Sequence, residues 1–123
     1  LGVNIIFDRD IFIKCLQLQE GFMVAKILIK RKFLKGKTDE IISILNNMRF
    51  CAMEQRGYIS GETLTDRKDP HNKAVLCTWQ TMEDWLNWKE TPERKQFDAM
   101  LEVFQVGPTE YEEYLVGATF EGG

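Results

Sequence analysis

Val75-Leu76-Cys77-Thr78-Trp79-Gln80-Thr81-Met82-Glu83-Asp84-Trp85-Leu86-Asn87-Trp88 holds all three tryptophans of the chain. Ala74-Val75-Leu76-Cys77 is a short continuous apolar run, which predicts a central strand buried in a sheet, over Lys73–Trp79. Thr81 with Asp84 three residues on is a capping arrangement, with Asp where Glu is usual. The stretch therefore passes from strand to helix, over Met82–Lys89. Thr91 and Pro92 restart the helix as N-cap and first helical residue. Phe97, Met100, Leu101 and Phe104 supply the apolar face of that second piece, and Gly107-Pro108 ends it.

Upstream, Asp66-Arg67-Lys68-Asp69-Pro70-His71-Asn72 is a polar loop rich in turn formers, and Gly57–Thr65 reads as a strand before it. Thr38 suits an N-cap, and Asp39 and Glu40 suit the positive end of a helix. Ile41, Ile44, Leu45, Met48, Cys51, Ala52 and Gln55 follow at helical spacing as its buried stripe, and Gly57 suits a left-handed cap. Met23–Phe33 is a strand with Ala25, Ile27, Ile29 and Phe33 on one face and Val24, Lys26, Leu28, Lys30 and Lys32 on the other. Downstream, Tyr111–Phe120 reads as the last strand. From Met23 the order is β-α-β-β-α-β, the split βαβ or ferredoxin-like α+β fold: an antiparallel sheet with both helices on one face. The other face, with Val24 and Leu28, is too apolar to be left wet, so a homodimer through it is expected.

Residues 1–22 read as an N-terminal extension, residues 23–120 as the domain and residues 121–123 as a tail. Within the extension, Val3–Phe7 and Ile11–Leu18 are β-rich around Asp8-Arg9-Asp10, which predicts a hairpin or one irregular strand.

Hydrophobic residues at 44% and charged residues at 28% suit a globular protein. No apolar run reaches bilayer length, and no basic, apolar and small-residue leader is present. Three cysteines without metal-type spacing read as reduced thiols of a cytoplasmic protein. A net charge of −3 argues against a general nucleic-acid binder.

Trp85 and Trp88, three apart, point to one side of their helix. Large aromatics are mostly packing, so core or interface is the plain reading; the functional one is a flat wall for an aromatic ligand. Arg49, Tyr58, Glu62 and Tyr114 are the polar groups suited to line a pocket, with surface or interface hydrogen bonding as the plain alternative. His71, the only histidine, sits in a polar loop away from any metal-type partner and reads as a surface residue. Neither a metal site nor a catalytic triad is assigned. Lys26, Lys30, Arg31, Lys32, Lys35 and Lys37 form a basic cluster, and pairing with Glu110, Glu112 and Glu113 on the last strand explains it better than RNA binding.

Met23–Gly117 resembles the antibiotic biosynthesis monooxygenase domain of the dimeric α+β barrel superfamily. The likeness rests on Val24–Phe33 with Gly36, on Gly57–Leu64 and on Asp69-Pro70-His71. It continues through Thr78-Trp79, Met82–Trp85, Thr91-Pro92-Glu93-Arg94 and Tyr111–Tyr114. The resemblance implies a homodimer with facing sheets and a pocket in each subunit. It implies oxidation of phenolic or quinol-type aromatics by molecular oxygen, without metal, flavin or other cofactor. Trp88 and Trp85 would be pocket walls, with Tyr58 and Arg49 as orienting groups; no residue is singled out as the catalytic base. A barrel that binds or senses a small molecule without chemistry is the alternative. A haem-degrading branch uses a first-strand asparagine, a tryptophan and a histidine. Trp88 matches the tryptophan, but Ile27 or Ile29 and Asp98 or Phe97 stand at the other two places, which disfavours haem degradation.

Overall fold

The structure, a computed structural model, describes residues 8–117. Within them the chain runs α1 (Arg9–Phe22), β1 (Ala25–Lys32), α2 (Thr38–Met53), β2 (Tyr58–Thr65), β3 (Asn72–Trp79), α3 (Met82–Lys89), α4 (Pro92–Glu102) and β4 (Glu110–Leu115). The strands form one antiparallel sheet in the order β2-β3-β1-β4. From β1 onward this is the ferredoxin-like α+β arrangement, with its second helix broken into α3 and α4.

The two-residue period of β1 sorts the sheet faces. Ala25, Ile27 and Ile29 are buried, while Lys26 and Lys30 are exposed. Register carries that parity to β3: Ile27 faces Cys77 and Ala25 faces Trp79, whereas Leu28 faces Leu76. On α2 the buried residues are Ile41, Ile44, Leu45, Met48 and Ala52, most of the stripe expected from a 3.6-residue period; Cys51 is half-buried, and Gln55 lies half-buried past the helix end. The buried residues join Ile27, Trp79, Trp85, Trp88 and Leu101 in one core between helices and sheet.

The helix starts after β3 are local sequence effects. Thr81 accepts from Asp84 N at 3.1 Å and Thr91 from Arg94 N at 3.2 Å. Each hydroxyl satisfies a donor that the first helical turn leaves free. Thr38, expected as the cap of α2, is instead its first residue, and Lys37 holds the cap position without a side-chain bond.

Three other expectations are corrected. Residues 9–22 form a helix, where a hairpin or irregular strand had been expected. Asp8 Oδ1 accepts from Asp10 N at 2.9 Å and Ile11 N at 3.4 Å, so Asp8 starts a helix where a turn was expected. Val3–Phe7, the other half of the expected hairpin, lies outside the described residues. Met100 is exposed, because the inward stripe of α4 is Arg94, Phe97, Asp98 and Leu101 at helical spacing. The last strand ends at Leu115, where Val116 and Gly117 turn; residues 118–120 lie outside the described residues.

Gly57 links α2 to β2 with φ +84°, and a Cβ there would lie 2.1 Å from Asp84 Oδ2 and 2.6 Å from Asp84 Cβ. Its carbonyl also accepts from Gln80 N at 2.7 Å. Gly57→Ala combines left-handed strain with a clash, so a loss of about 2–4 kcal/mol is expected in urea unfolding. A loss under about 0.5 kcal/mol, the range of an ordinary surface change, would contradict this account of the turn.

Candidate functional site

Six elements converge on one cavity between the sheet and the helices. Leu45, Met48, Arg49 and Ala52 come from α2, and Ile29 and Arg31 from β1. Tyr58 and Gly61 come from β2, and Val75, Cys77 and Trp79 from β3; Trp85, Trp88 and Arg94 close it from α3 and α4. The free volume is about 50 Å³. Ligand pockets usually span about 300–1,000 Å³, so an aromatic guest must displace side chains. Met48, unbranched and flexible, is the wall residue best suited to move.

All four residues singled out from the sequence, Trp88, Trp85, Tyr58 and Arg49, line this cavity. Trp85 and Trp88 are also core residues, at 1% and 3% exposure, so packing and pocket wall are one role here. Tyr58 packs edge-on against Trp79, ring centroids 5.4 Å apart. Trp79 leans on Trp85 at 6.2 Å and Trp85 on Tyr111 at 6.1 Å. Arg49 Nη2 donates to Thr63 Oγ1. Gly61 leaves room for this arrangement: a Cβ there would come within 2.7 Å of the Tyr58 hydroxyl.

Glu62 and Tyr114 do not belong to the cavity. A bulge between Tyr58 and Ser60 breaks the parity of β2, pairing Tyr58 with Trp79 but Glu62 with Leu76. One inserted residue moves the following side chains to the opposite face. Glu62 thus falls on the open sheet face. Tyr114 pairs with Lys26 on that face, and its hydroxyl donates to Glu112 Oε1 at 2.9 Å.

Two arginines were missed as site residues. Arg31, grouped from the sequence with the basic cluster facing the acids of the last strand, is buried on the helix side of β1. Arg94 is completely buried. Arg31 Nη2 donates to Asp98 Oδ1 at 3.3 Å, and Arg94 Nη2 lies 3.6 Å from the same oxygen. Arg94 Nη2 also donates to the Tyr111 hydroxyl at 3.2 Å, and its guanidinium stands 4.8 Å over the Trp85 ring. Helical spacing gave a usable signal for Arg94 and Asp98, which share the stripe of Phe97 and Leu101. The expected strand-to-strand pairing holds for Lys30, whose Nζ meets Glu112 Oε2 at 2.7 Å on the open face.

Burial pushes the Arg31 guanidinium below its ordinary value, with the Arg94 charge acting the same way and Asp98 opposing. Burial also raises the Tyr58 and Tyr111 hydroxyls, with Arg49 and Arg94 respectively pulling the other way. Both shifts favour the protonated hydroxyl, which can donate as well as accept. The Cys77 thiol is likewise raised, chiefly by burial; it donates to Ile27 O at 3.7 Å and receives Trp79 Nε1–H at 3.4 Å. The cavity wall is thus mostly apolar and aromatic, with Arg31, Arg49 and Arg94 bringing positive charge to it. His71 lies apart, its backbone N–H donating to Asp69 Oδ1 at 3.1 Å. Among the described residues no three His, Cys, Asp or Glu side chains gather as metal ligands, and no helix is long and apolar enough to cross a membrane.

A sequence model of antibiotic biosynthesis monooxygenases matches residues 25–100, more than half of the chain. Among solved structures, a conserved protein from Methanosarcina mazei superposes with TM-score 0.71 at 13% identity, covering 79% of this chain and 96% of its own. SnoaB, a cofactor-independent oxygenase from Streptomyces nogalater, gives TM-score 0.69 at 12% identity, covering 80% and 98%. A Nitrosomonas europaea protein provisionally assigned as an antibiotic biosynthesis monooxygenase gives 0.70 at 15%, covering 82% and 95%. At these identities the structural likeness concerns the fold. No curated protein matches the chain significantly.

Proposed function

The chain belongs to the antibiotic biosynthesis monooxygenase family, and from that premise we propose that it oxidises an aromatic or quinol-like small molecule with molecular oxygen, without a cofactor. The observation that supports this most is the cavity itself, with Tyr58, Trp79, Trp85 and Trp88 in its wall and Arg49 beside them. In such chemistry the deprotonated substrate supplies the electrons. For an anthrone-type ring, O2 takes four electrons from one CH2: one oxygen becomes the new carbonyl and the other leaves as water with the two hydrogens. The protein then contributes orientation and exclusion of water. Trp88 and Trp85 would hold the ring, and Tyr58 and Arg49 would orient its oxygen substituents.

Oxygen consumption with a panel of hydroquinones and anthrones tests this reading. Uptake above the rate without protein, lowered about tenfold or more by Trp88→Ala in a folded variant, is the expected result, within the range that positioning supplies. No uptake by well-folded protein with any member of the panel contradicts it. The same cavity wall would serve one other reading, a domain that binds or senses a ligand without chemistry. Tight binding without turnover would support that alternative.

The open sheet face supports a homodimer. Leu28 and Leu76 stand opposite each other on it, and Leu64, Ile59 and Tyr114 are exposed. Leu76→Arg is expected to convert a dimer to a monomer in sedimentation at micromolar concentration, because an unpaired charge in an apolar interface costs several kcal/mol. A wild-type monomer at millimolar concentration contradicts the proposal.

A further inference from the structure

Three residues that line the cavity carry buried donors with no protein partner. These donors are Arg31 Nε, Arg94 Nε, Arg94 Nη1 and Trp85 Nε1. Native proteins rarely leave buried donors unmet without a functional reason or a bound water, ion or guest. Glu112 Oε2, buried on the opposite sheet face, is by contrast met by Lys30 Nζ at 2.7 Å.

The charges point the same way. Arg31, Arg49 and Arg94 line the cavity and no Asp or Glu does. Arg31 and Arg94 share a single oxygen of Asp98. Two guanidiniums against one carboxylate leave one positive charge without a partner. Arg94 is also held in orientation, between the Trp85 face and the Tyr111 hydroxyl. A fixed, dehydrated cation with unused N–H groups is a receptor waiting for an acceptor.

We infer that the Arg31–Arg94 end of the cavity binds a carboxylate carried by the ligand. A carboxylate offers acceptors only, and charge-assisted bonds to guanidinium are among the stronger hydrogen bonds. A neutral amide or hydroxyl would bring its own hydrogens against donors. The free volume of about 50 Å³ exceeds the roughly 10–15 Å³ that one water needs on the same measure, so the cavity has room for a group of a few atoms. The inference rests on the proposed small-molecule role of the cavity only for the rest of the ligand, an aromatic body against Trp88 and Tyr58.

Acetate and acetamide test it, being alike in shape and different in charge. Their binding is followed by NMR through the Trp85 indole N–H and the Arg94 Nε–H. Acetate is expected to bind about tenfold or more tightly than acetamide, a difference that titration resolves readily. In Arg94→Met the preference should fall below about threefold, read from the indole signal. Arg31→Met provides a second route if Arg94→Met does not fold, because Asp98 then neutralises Arg94 and the preference should fall likewise. Equal binding of the two probes, or an acetate preference unchanged in a folded variant, overturns the inference. Oxygen uptake is read separately. Turnover of a neutral quinol without any acetate preference sinks the carboxylate site and leaves the monooxygenase reading standing. Acetate preference without turnover does the reverse.

Discussion

Trp85→Ala is expected to lose about 3–5 kcal/mol of folding stability, the cost of emptying a large aromatic site that cannot collapse. Trp85 is 1% exposed and is wedged between Trp79 and Tyr111, with Arg94 over its ring. Truncation removes support from both neighbours and leaves the buried guanidinium over a void. For a domain of this size the melting temperature should fall by about 10–20 °C. Total stabilities of about 5–15 kcal/mol place such a variant close to unfolding. Leu86 is the internal control, since it is the next residue on the same helix and 43% exposed. Leu86→Ala is expected to stay within about 1 kcal/mol of wild type. Similar losses for the two would mean that α3 does not present Trp85 to the core as described.

Asp98→Asn should act in two opposite directions. Asp98 is the carboxylate shared by Arg31 and Arg94, and its side chain is 23% exposed. Removing one partner of a fully buried pair costs about 3–5 kcal/mol, and the partial exposure of Asp98 brings the expected loss to about 2–3 kcal/mol. The same change raises the uncompensated charge of the Arg31–Arg94 pair from one to two. Affinity for acetate should therefore rise while stability without ligand falls. Acetate well above its dissociation constant should restore part of the lost stability by mass action. Thermal melts with and without acetate check both halves. Weaker acetate binding in a folded Asp98→Asn protein would show that Asp98 holds the arginines in place more than it neutralises them.

Local chemistry made much of this fold legible. The caps Thr81 and Thr91, Pro92 after its cap and the alternation of β1 each work within a few residues, and each appears in the structure. The element order followed, and with it the sheet order that puts the first and last strands side by side. Two kinds of feature stayed out of reach. One is parity: the bulge at Ile59 leaves no mark in the residue types, yet it separates Tyr58 from Glu62 and so decides which lines the cavity. The other is the buried charge. Arg31 reads as part of the basic cluster because arginine is almost never fully buried unless paired, and its partner Asp98 is distant in sequence; Arg94 is given no place in the expected site. At the N-terminus the β-rich Ile11-Phe12-Ile13 outweighed the helix formers that follow, and Asp8 was read as a turn residue where it is a cap.

Those two arginines change the meaning of the tryptophan-rich stretch. Trp85 and Trp88 pack the core, and they also line a cavity to which Arg31, Arg49 and Arg94 contribute. The most direct measurement is turnover under isotopically labelled dioxygen, with an anthrone as substrate and the product examined by mass spectrometry. A monooxygenase of the kind proposed places one labelled oxygen atom in the product carbonyl and the other in water, at a rate that depends on Trp88. A product without label, or consumption of oxygen that yields only hydrogen peroxide, would contradict it.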